Sequence, residues 1–191
     1  NAKNIGLRYL LGIYPFLFLL IGITAIAALR SSRTYLITAL AIWYVSGTVR
    51  NHPHHLAYFN ELIGGPENGY HYLVDSNLDW GQDLKGLKTY VDKHNIERIK
   101  LSYFGTADPR LYDLQYEWLP SAFLPNPENQ PAQIPTTGII AISVTNLVGV
   151  YMDMYGHGRD LFAWLKAHQP IARIGHSIFI YEVEEAPSQE R

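Results

Sequence analysis

YLLGIYPFLFLLIGITAIAAL, residues 9–29, is a run of 21 residues without a charged side chain. At about 1.5 Å of rise per residue, a helix of this length crosses the roughly 30 Å hydrocarbon core of a bilayer. A secretory signal peptide has a shorter apolar stretch and opens into a mature domain after small residues. Here a second uncharged run follows, TYLITALAIWYVSGTV at 34–49, set off by Arg30-Ser31-Ser32-Arg33 and closed by Arg50. Together the two runs predict a transmembrane helical hairpin over residues 1–50. Pro15 removes a backbone donor inside the first run and predicts a kink there. The second run, 16 residues, is short for a span, so local bilayer thinning and snorkelling of Arg33 and Arg50 are expected. Tyr35 and Tyr44 suit the membrane interfaces, whereas Trp43 lies mid-run, where it suits a helix contact.

Charge divides the chain at the same place. The first 50 residues carry Lys3, Arg8, Arg30, Arg33 and Arg50 and no acid, while the rest carries 10 basic and 17 acidic side chains, a formal −7. The whole-chain figures of 191 residues, 48% apolar and net −2 conceal this partition. Two arginines in the hairpin turn favour the cytoplasm, which puts everything after Arg50 on the extracytoplasmic face; Lys3 and Arg8 at the opposite end weaken that bias. With no cysteine, a disulfide framework and a thiolate metal site are excluded. The acidic segment has the wrong sign for a nucleic-acid surface. Two helices joined by four residues bury little against each other in lipid, and the chain opens Asn1-Ala2-Lys3 without an initiator methionine. Upstream helices or partner subunits are therefore expected to complete the membrane part.

Past Arg50 the periodicity changes. LAYFNELI at 56–63 reads as a short amphipathic helix stopped by Gly64-Gly65-Pro66, within an interfacial helix and linker at 51–69. Residues 70–185 form the expected extracytoplasmic domain and 186–191 a frayed tail. Within the domain, 70–74 alternates as a strand and 75–79 turns. A helix then runs from about Trp80 to His94, with Asp79 and Gln82 at capping-box spacing and Leu84, Leu87 and Val91 on one face. A second strand at 99–104 completes a right-handed parallel βαβ unit. The proline-rich stretch 108–136 predicts a long ordered excursion with one helical turn at 111–116. The apolar run 138–144 suits a buried central strand. Leu161, Trp164 and Leu165 mark a helix ended by Pro170, and 171–174 with 177–183 form a hairpin turning at Gly175-His176. The expected fold class is α/β: a transmembrane hairpin followed by a small three-layer α/β domain with a mixed sheet.

The densest polar cluster is Asp75-Ser76-Asn77-Leu78-Asp79-Trp80-Gly81-Gln82-Asp83. Alternating oxygen ligands suit a divalent cation, but the calcium-loop pattern needs Gly at its sixth and Glu at its twelfth place, where Trp80 and Gly86 stand. An irregular cation site, a capped turn whose carboxylates favour a helix N-terminus, and a polar-ligand pocket all remain open. In the last, Trp80 is an apolar platform beside Asp75, Asn77, Asp79, Gln82 and Asp83. Asp75 and Asp79 have the chemistry of an acid/base pair, which spacing alone does not establish. His52, His54 and His55 lack the further ligands a metal needs, and a wetted interfacial segment is the simpler reading. Arg8 is a candidate for a lipid phosphate, with headgroup snorkelling as its plain alternative. No phosphate loop, dinucleotide fingerprint or nucleophile elbow is present.

Several stretches together resemble a known family. They are Arg8-Tyr9-Leu10-Leu11, Ile13-Tyr14-Pro15-Phe16, Leu56-Ala57-Tyr58-Phe59-Asn60-Glu61 and Gly64-Gly65-Pro66, then Leu73-Val74 running through Asp75 to Leu84, Ser102-Tyr103-Phe104-Gly105, Ile142-Ser143, Asn146-Leu147, Gly149-Val150-Tyr151 and Ile174-Gly175-His176-Ser177. They resemble the C-terminal end of bacterial membrane glycosyltransferases of family 39, the protein mannosyltransferase-like type, with Gly12 standing where that segment is expected to have proline. The resemblance implies a bacterial inner-membrane enzyme that takes a sugar from a polyprenyl-phosphate carrier at the extracytoplasmic face. It places the catalytic acid in an upstream loop, so no residue here is assigned as catalytic. It leaves this chain the last helical hairpin and the outer domain. A structural accessory subunit of a larger membrane complex and a sugar- or cation-binding module are the competing expectations.

Overall fold

The computed structural model describes residues 6–29, 33–126 and 134–185, the side chains of 6–9 excepted. A 3₁₀ helix at Gly6–Ile13 passes into α1 (Tyr14–Leu29), and α2 (Thr34–Arg50) packs beside α1. Among the described residues, Leu10–Leu29 is the one helix long and apolar enough to cross a membrane. No residue of α1 is buried, and its Phe16 is 68% exposed. An apolar helix without a polar face or a buried stripe suits lipid rather than water. Pro15 is the second residue of α1, not an interruption within a continuous α-helix. In a first turn its missing N–H leaves nothing unpaired, because those donors have no intrahelical acceptor. The turn at Arg30, Ser31 and Ser32, the side chain of Arg8 and the tail 186–191 lie outside the described residues.

The segment after α2 departs from the expected amphipathic helix. It forms two 3₁₀ turns, His55–Ala57 and Glu61–Ile63, separated by extended backbone at Tyr58 and Asn60. Asn60 breaks the pattern: its side-chain oxygen accepts the Leu62 N–H at 3.1 Å, capping a new turn. Ala57 enters the core while Leu62 is 86% exposed. Tyr58 and Glu61 lie against Gly47 in the last turns of α2. The expected strand at 70–74 is also absent. Pro66 starts a 3₁₀ helix, Pro66–His71, that runs into this stretch, and Tyr72 stays in the right-handed helical region.

The domain is built on a five-stranded mixed sheet of order β2-β1-β3-β5-β4. Its strands are β1 (Ile99–Ser102), β2 (Tyr116–Trp118), β3 (Gly138–Ser143), β4 (Ala172–Ile174) and β5 (Ile178–Val183). β1 runs parallel to both β2 and β3, and β5 is antiparallel to β3 and β4. The expected βαβ unit is therefore replaced by a helix, α3 (Leu84–Lys93), feeding β1, whose parallel neighbours both follow it in the chain. β2 lies inside the excursion in which only a helical turn was expected; that turn is 3₁₀, Pro109–Tyr112, and starts earlier.

Period-two alternation sorts the strand side chains between two cores. Leu84, Leu87 and Val91 of α3 pack with Ile99, Leu101, Ala141, Ile178 and Ile180 on one face. Ile140, Ile142, Phe179, Tyr181 and Val183 face the other way. There they meet the short α4 (Val144–Val148) together with Met152, Phe162 and Leu165, which come from irregular or 3₁₀ segments. The helix expected around Leu161 to Leu165 is the 3₁₀ turn Ala163–Ala167. The β4–β5 hairpin turns at Gly175 and His176 as the sequence predicts. Both have left-handed φ, 56° and 67°, the combination whose twist matches the strands it joins.

Candidate polar-ligand site

After β1 the chain leads to β2 on one side, and after β3 it leads towards β5 and β4 on the other. Open α/β sheets bind ligands at such a divergence, outside the C-terminal ends of the strands. Polar side chains gather at these ends. Ser102 Oγ donates to the Pro120 carbonyl at 2.6 Å and accepts from Asn146 Nδ2 at 3.1 Å. Ser143 Oγ accepts the Phe104 N–H at 2.9 Å. Ser102, Ser143, Thr145 and Asn146 are all buried.

The 75–83 turn lies over this end of the sheet. Asp75 takes a left-handed φ of 59°. Its N–H donates to Thr145 Oγ1 at 3.1 Å, and its Oδ2 accepts from the Tyr151 hydroxyl at 2.7 Å. Asp79 is completely buried, and its Oδ1 accepts the Gly81 N–H at 2.8 Å. Gln82 Oε1 accepts the Trp80 N–H at 2.8 Å, and α3 starts only at Leu84. The Asp79/Gln82 spacing thus builds a tight turn ahead of the helix and not a capping box on it. Gly81 is required twice: its φ is +75°, and a Cβ there would run into the hydroxyl of Tyr103, which donates to the Gly81 carbonyl at 2.6 Å.

Burial raises the Asp79 pKa to about 7, outweighing the Gly81 hydrogen bond and the nearby Ser143 hydroxyl; Asp83 and Asp75 push it further up. The same desolvation drives the Tyr103 phenol far above its ordinary range. Asp79 Oδ2, Asn146 Oδ1 and Ser76 Oγ are buried with no hydrogen-bond partner among the described residues. Buried polar atoms are nearly always paired, so three orphans at one end of a sheet mark a place for a polar guest. Asn146 Oδ1 accepts only, Asp79 Oδ2 accepts when ionised and donates when protonated, and the Ser76 hydroxyl does both, which suits a ligand whose hydroxyls donate and accept.

Aromatic rings stand beside them. Phe104, Phe123 and Tyr151 form a cluster with centroids 5.0 to 6.0 Å apart, and Tyr155 packs edge-on to Phe123 at 5.6 Å. Trp80 is 58% exposed, and its indole N–H donates to the Ser76 carbonyl at 3.3 Å.

The remaining residues of the cluster point elsewhere. Asn77 Nδ2 donates to the Val74 carbonyl at 3.4 Å within its own turn, and Gln82 Nε2 donates to the Leu78 carbonyl at 3.1 Å. Asp83 accepts from Ser177 Oγ at 2.6 Å and lies 3.4 Å from His54 Nδ1. The carboxylate stands between serine and histidine, so no imidazole adjoins the Ser177 hydroxyl and this is not the order of a nucleophilic triad. The contact instead fastens the chain just past α2 to the start of α3. His176, whose pKa burial lowers, packs edge-on to His54 at 5.9 Å.

Among the described residues no three His, Asp or Glu side chains converge to hold a metal. Asp75, Asp79 and Asp83 each have a protein donor of their own, and His52 and His55 approach only each other, at 3.3 Å. The sequence does not assign Tyr151, Thr145, Asn146 or Ser143 to the site, although three of them fall in the stretches that carry the resemblance. Their signal was the polar run Ser143 to Asn146 closing an apolar strand, the position at which parallel sheets present ligand groups. Searches against family models, curated proteins and solved structures return no match to this chain.

Proposed function

We propose that this chain is the membrane hairpin and extracytoplasmic domain of a lipid-carrier-dependent glycosyltransferase of the bacterial inner membrane, with the 75–83 turn holding a sugar of the carrier or the acceptor. In this reading α1 and α2 both cross the bilayer. The domain is three-layered, α4 and the 3₁₀ turns closing the face opposite α3. The catalytic acid belongs to another part of the enzyme, and Arg8 is a candidate for the carrier phosphate. One observation carries the reading: a cluster of orphaned polar atoms and exposed rings is fastened through Asp83 and His54 to the end of an apolar helix pair. Rings supply a platform for the apolar face of a sugar, and carboxylates and amides orient its hydroxyls.

Calorimetric titration of the full chain in lipid nanodiscs, with methyl mannoside and with a short-chain polyprenyl-phosphate mannose, tests it. Saturable binding that weakens about tenfold in Asp75→Asn, the loss of one charge-assisted hydrogen bond, is the expected result. Absence of binding to both compounds, or binding indifferent to Asp75→Asn and Trp80→Ala, contradicts it. A second reading, a structural accessory subunit, draws on α1, whose apolar circumference is uncovered. Stoichiometric partners after purification in a gentle detergent support it, and a lone chain that binds the carrier argues against it.

A further inference from the structure

A recess of about 370 Å³ opens against β5, and its chemistry is the reverse of that at the 75–83 turn. His71, Lys166, His168 and Arg173 line it together with Phe179 and Tyr181, and no Asp or Glu among the described residues does. Arg173 is paired with Glu67, so among the described residues Lys166 is the uncompensated charge of this lining.

The donors are prepared for a guest. Arg173 Nη1 donates to the Glu67 carbonyl and to Glu67 Oε2, at 3.1 and 2.8 Å. The guanidinium carbon lies 4.7 Å from the Phe179 ring centroid and 5.6 Å from that of Tyr70. Stacking and the Glu67 bridge fix the plane and leave Nε and Nη2 without an acceptor among the described residues. Lys166 has no acceptor among the described residues, so its ammonium is available. Tyr181 is 2% exposed, yet its hydroxyl has no hydrogen-bond partner among the described residues, and the residue borders the recess. Burial pushes its pKa up to about 12, which keeps it a donor throughout the accessible range. His168 Nδ1 lies 3.1 Å from the Trp164 carbonyl, which orients the ring; Nε2 then accepts in the neutral imidazole and donates to a guest only when the ring is protonated.

Ammonium and guanidinium groups donate and cannot accept, so a neutral sugar, whose hydroxyls need acceptors as well as donors, is poorly served here. A phosphate-type oxyanion, with acceptors on every side, is well served. The volume matches a phosphorylated monosaccharide or a lipid headgroup. We propose that this recess binds a compact phosphate-bearing ligand, carried on a small soluble ester or on an anionic lipid headgroup. It does so independently of the site at the 75–83 turn.

The test uses the full chain in nanodiscs of zwitterionic lipid, titrated calorimetrically with glucose 1-phosphate, glucose and short-chain phosphatidic acid. Saturable binding of glucose 1-phosphate without binding of glucose is expected if the source is a soluble ester. Binding of phosphatidic acid alone identifies the lipid source. In either case Lys166→Gln and Tyr181→Phe each weaken binding, the former by about tenfold, the effect of one charge-assisted hydrogen bond. Asp75→Asn leaves it unchanged, which separates this site from the first. Lys166 is exposed, so its replacement leaves the fold intact. Absence of saturable binding by both phosphate-bearing probes, or binding unaltered in both Lys166→Gln and Tyr181→Phe, overturns the proposal.

Discussion

α1 and β3 are both strongly apolar, and they use that character in opposite ways. Phe16, Leu19 and Ile23 of α1 are 66 to 68% exposed, whereas Ile140, Ala141 and Ile142 of β3 have no exposed surface at all. β3 has partners on both edges and both faces; α1 packs mainly against α2 and the 3₁₀ helix before it, and none of its residues is buried. Apolarity in the strand is satisfied by other side chains, and in the helix it calls for a solvent that is not water. Truncation and charge insertion should therefore have different consequences in the two places.

The largest expected effect is at the sheet. Ile142→Ala removes buried methyl groups from a packed core and should cost about 2–5 kcal/mol, read as a lower denaturation midpoint of the domain. Leu20→Ala, at a position 59% exposed, should leave that midpoint unchanged. Equal losses at both positions would erase the distinction.

Next comes Asp79. Its folded pKa of about 7 lies above the ordinary 3.8, so its contribution is fully present below about pH 4 and is lost as pH rises through 7. Asp79→Asn keeps the acceptor for the Gly81 N–H and abolishes this dependence. The variant should match the parent at pH 4 and exceed it at pH 8 by up to about 4 kcal/mol in chemical unfolding. A parent whose stability is flat between pH 4 and 8 contradicts the assignment.

Leu20→Arg probes the helix itself. A charge at mid-span costs about 2.5–3.5 kcal/mol of insertion, measured as carbonate-extractable chain in membrane fractions. An arginine that leaves membrane association intact counts against α1 as a span. The smallest effect is expected at Leu62, 86% exposed beside the helix ends: Leu62→Ser should alter domain stability by less than about 0.5 kcal/mol.

The same contrast explains what could be read from the sequence. Both apolar helices, β1, β3 and the β4–β5 hairpin carry patterns longer than any ambiguity, and Gly175-His176 names its own turn. Residues 70–74 alternate as a strand would, but Pro66 upstream commits the chain to helical turns and no strand edge is offered to it. β2 is only three residues long, too short to show a period. Of the candidate site, the 75–83 turn was legible because its polar residues are contiguous. Thr145 and Tyr151 were not, since they reach Asp75 across 70 and 76 positions of sequence. Only the parallel placement of β1 beside β3 brings them there.

The proposed function joins the two regions, with a sugar site fastened to the end of helices that enter the membrane. Hydrogen exchange of the full chain in nanodiscs, with and without short-chain polyprenyl-phosphate mannose, tests it most directly. The account predicts slow exchange along Leu10–Leu29 in both states and new protection at 75–83 and 144–151 when the carrier is present. Rapid exchange in the helix, or no change at those two segments, would contradict it.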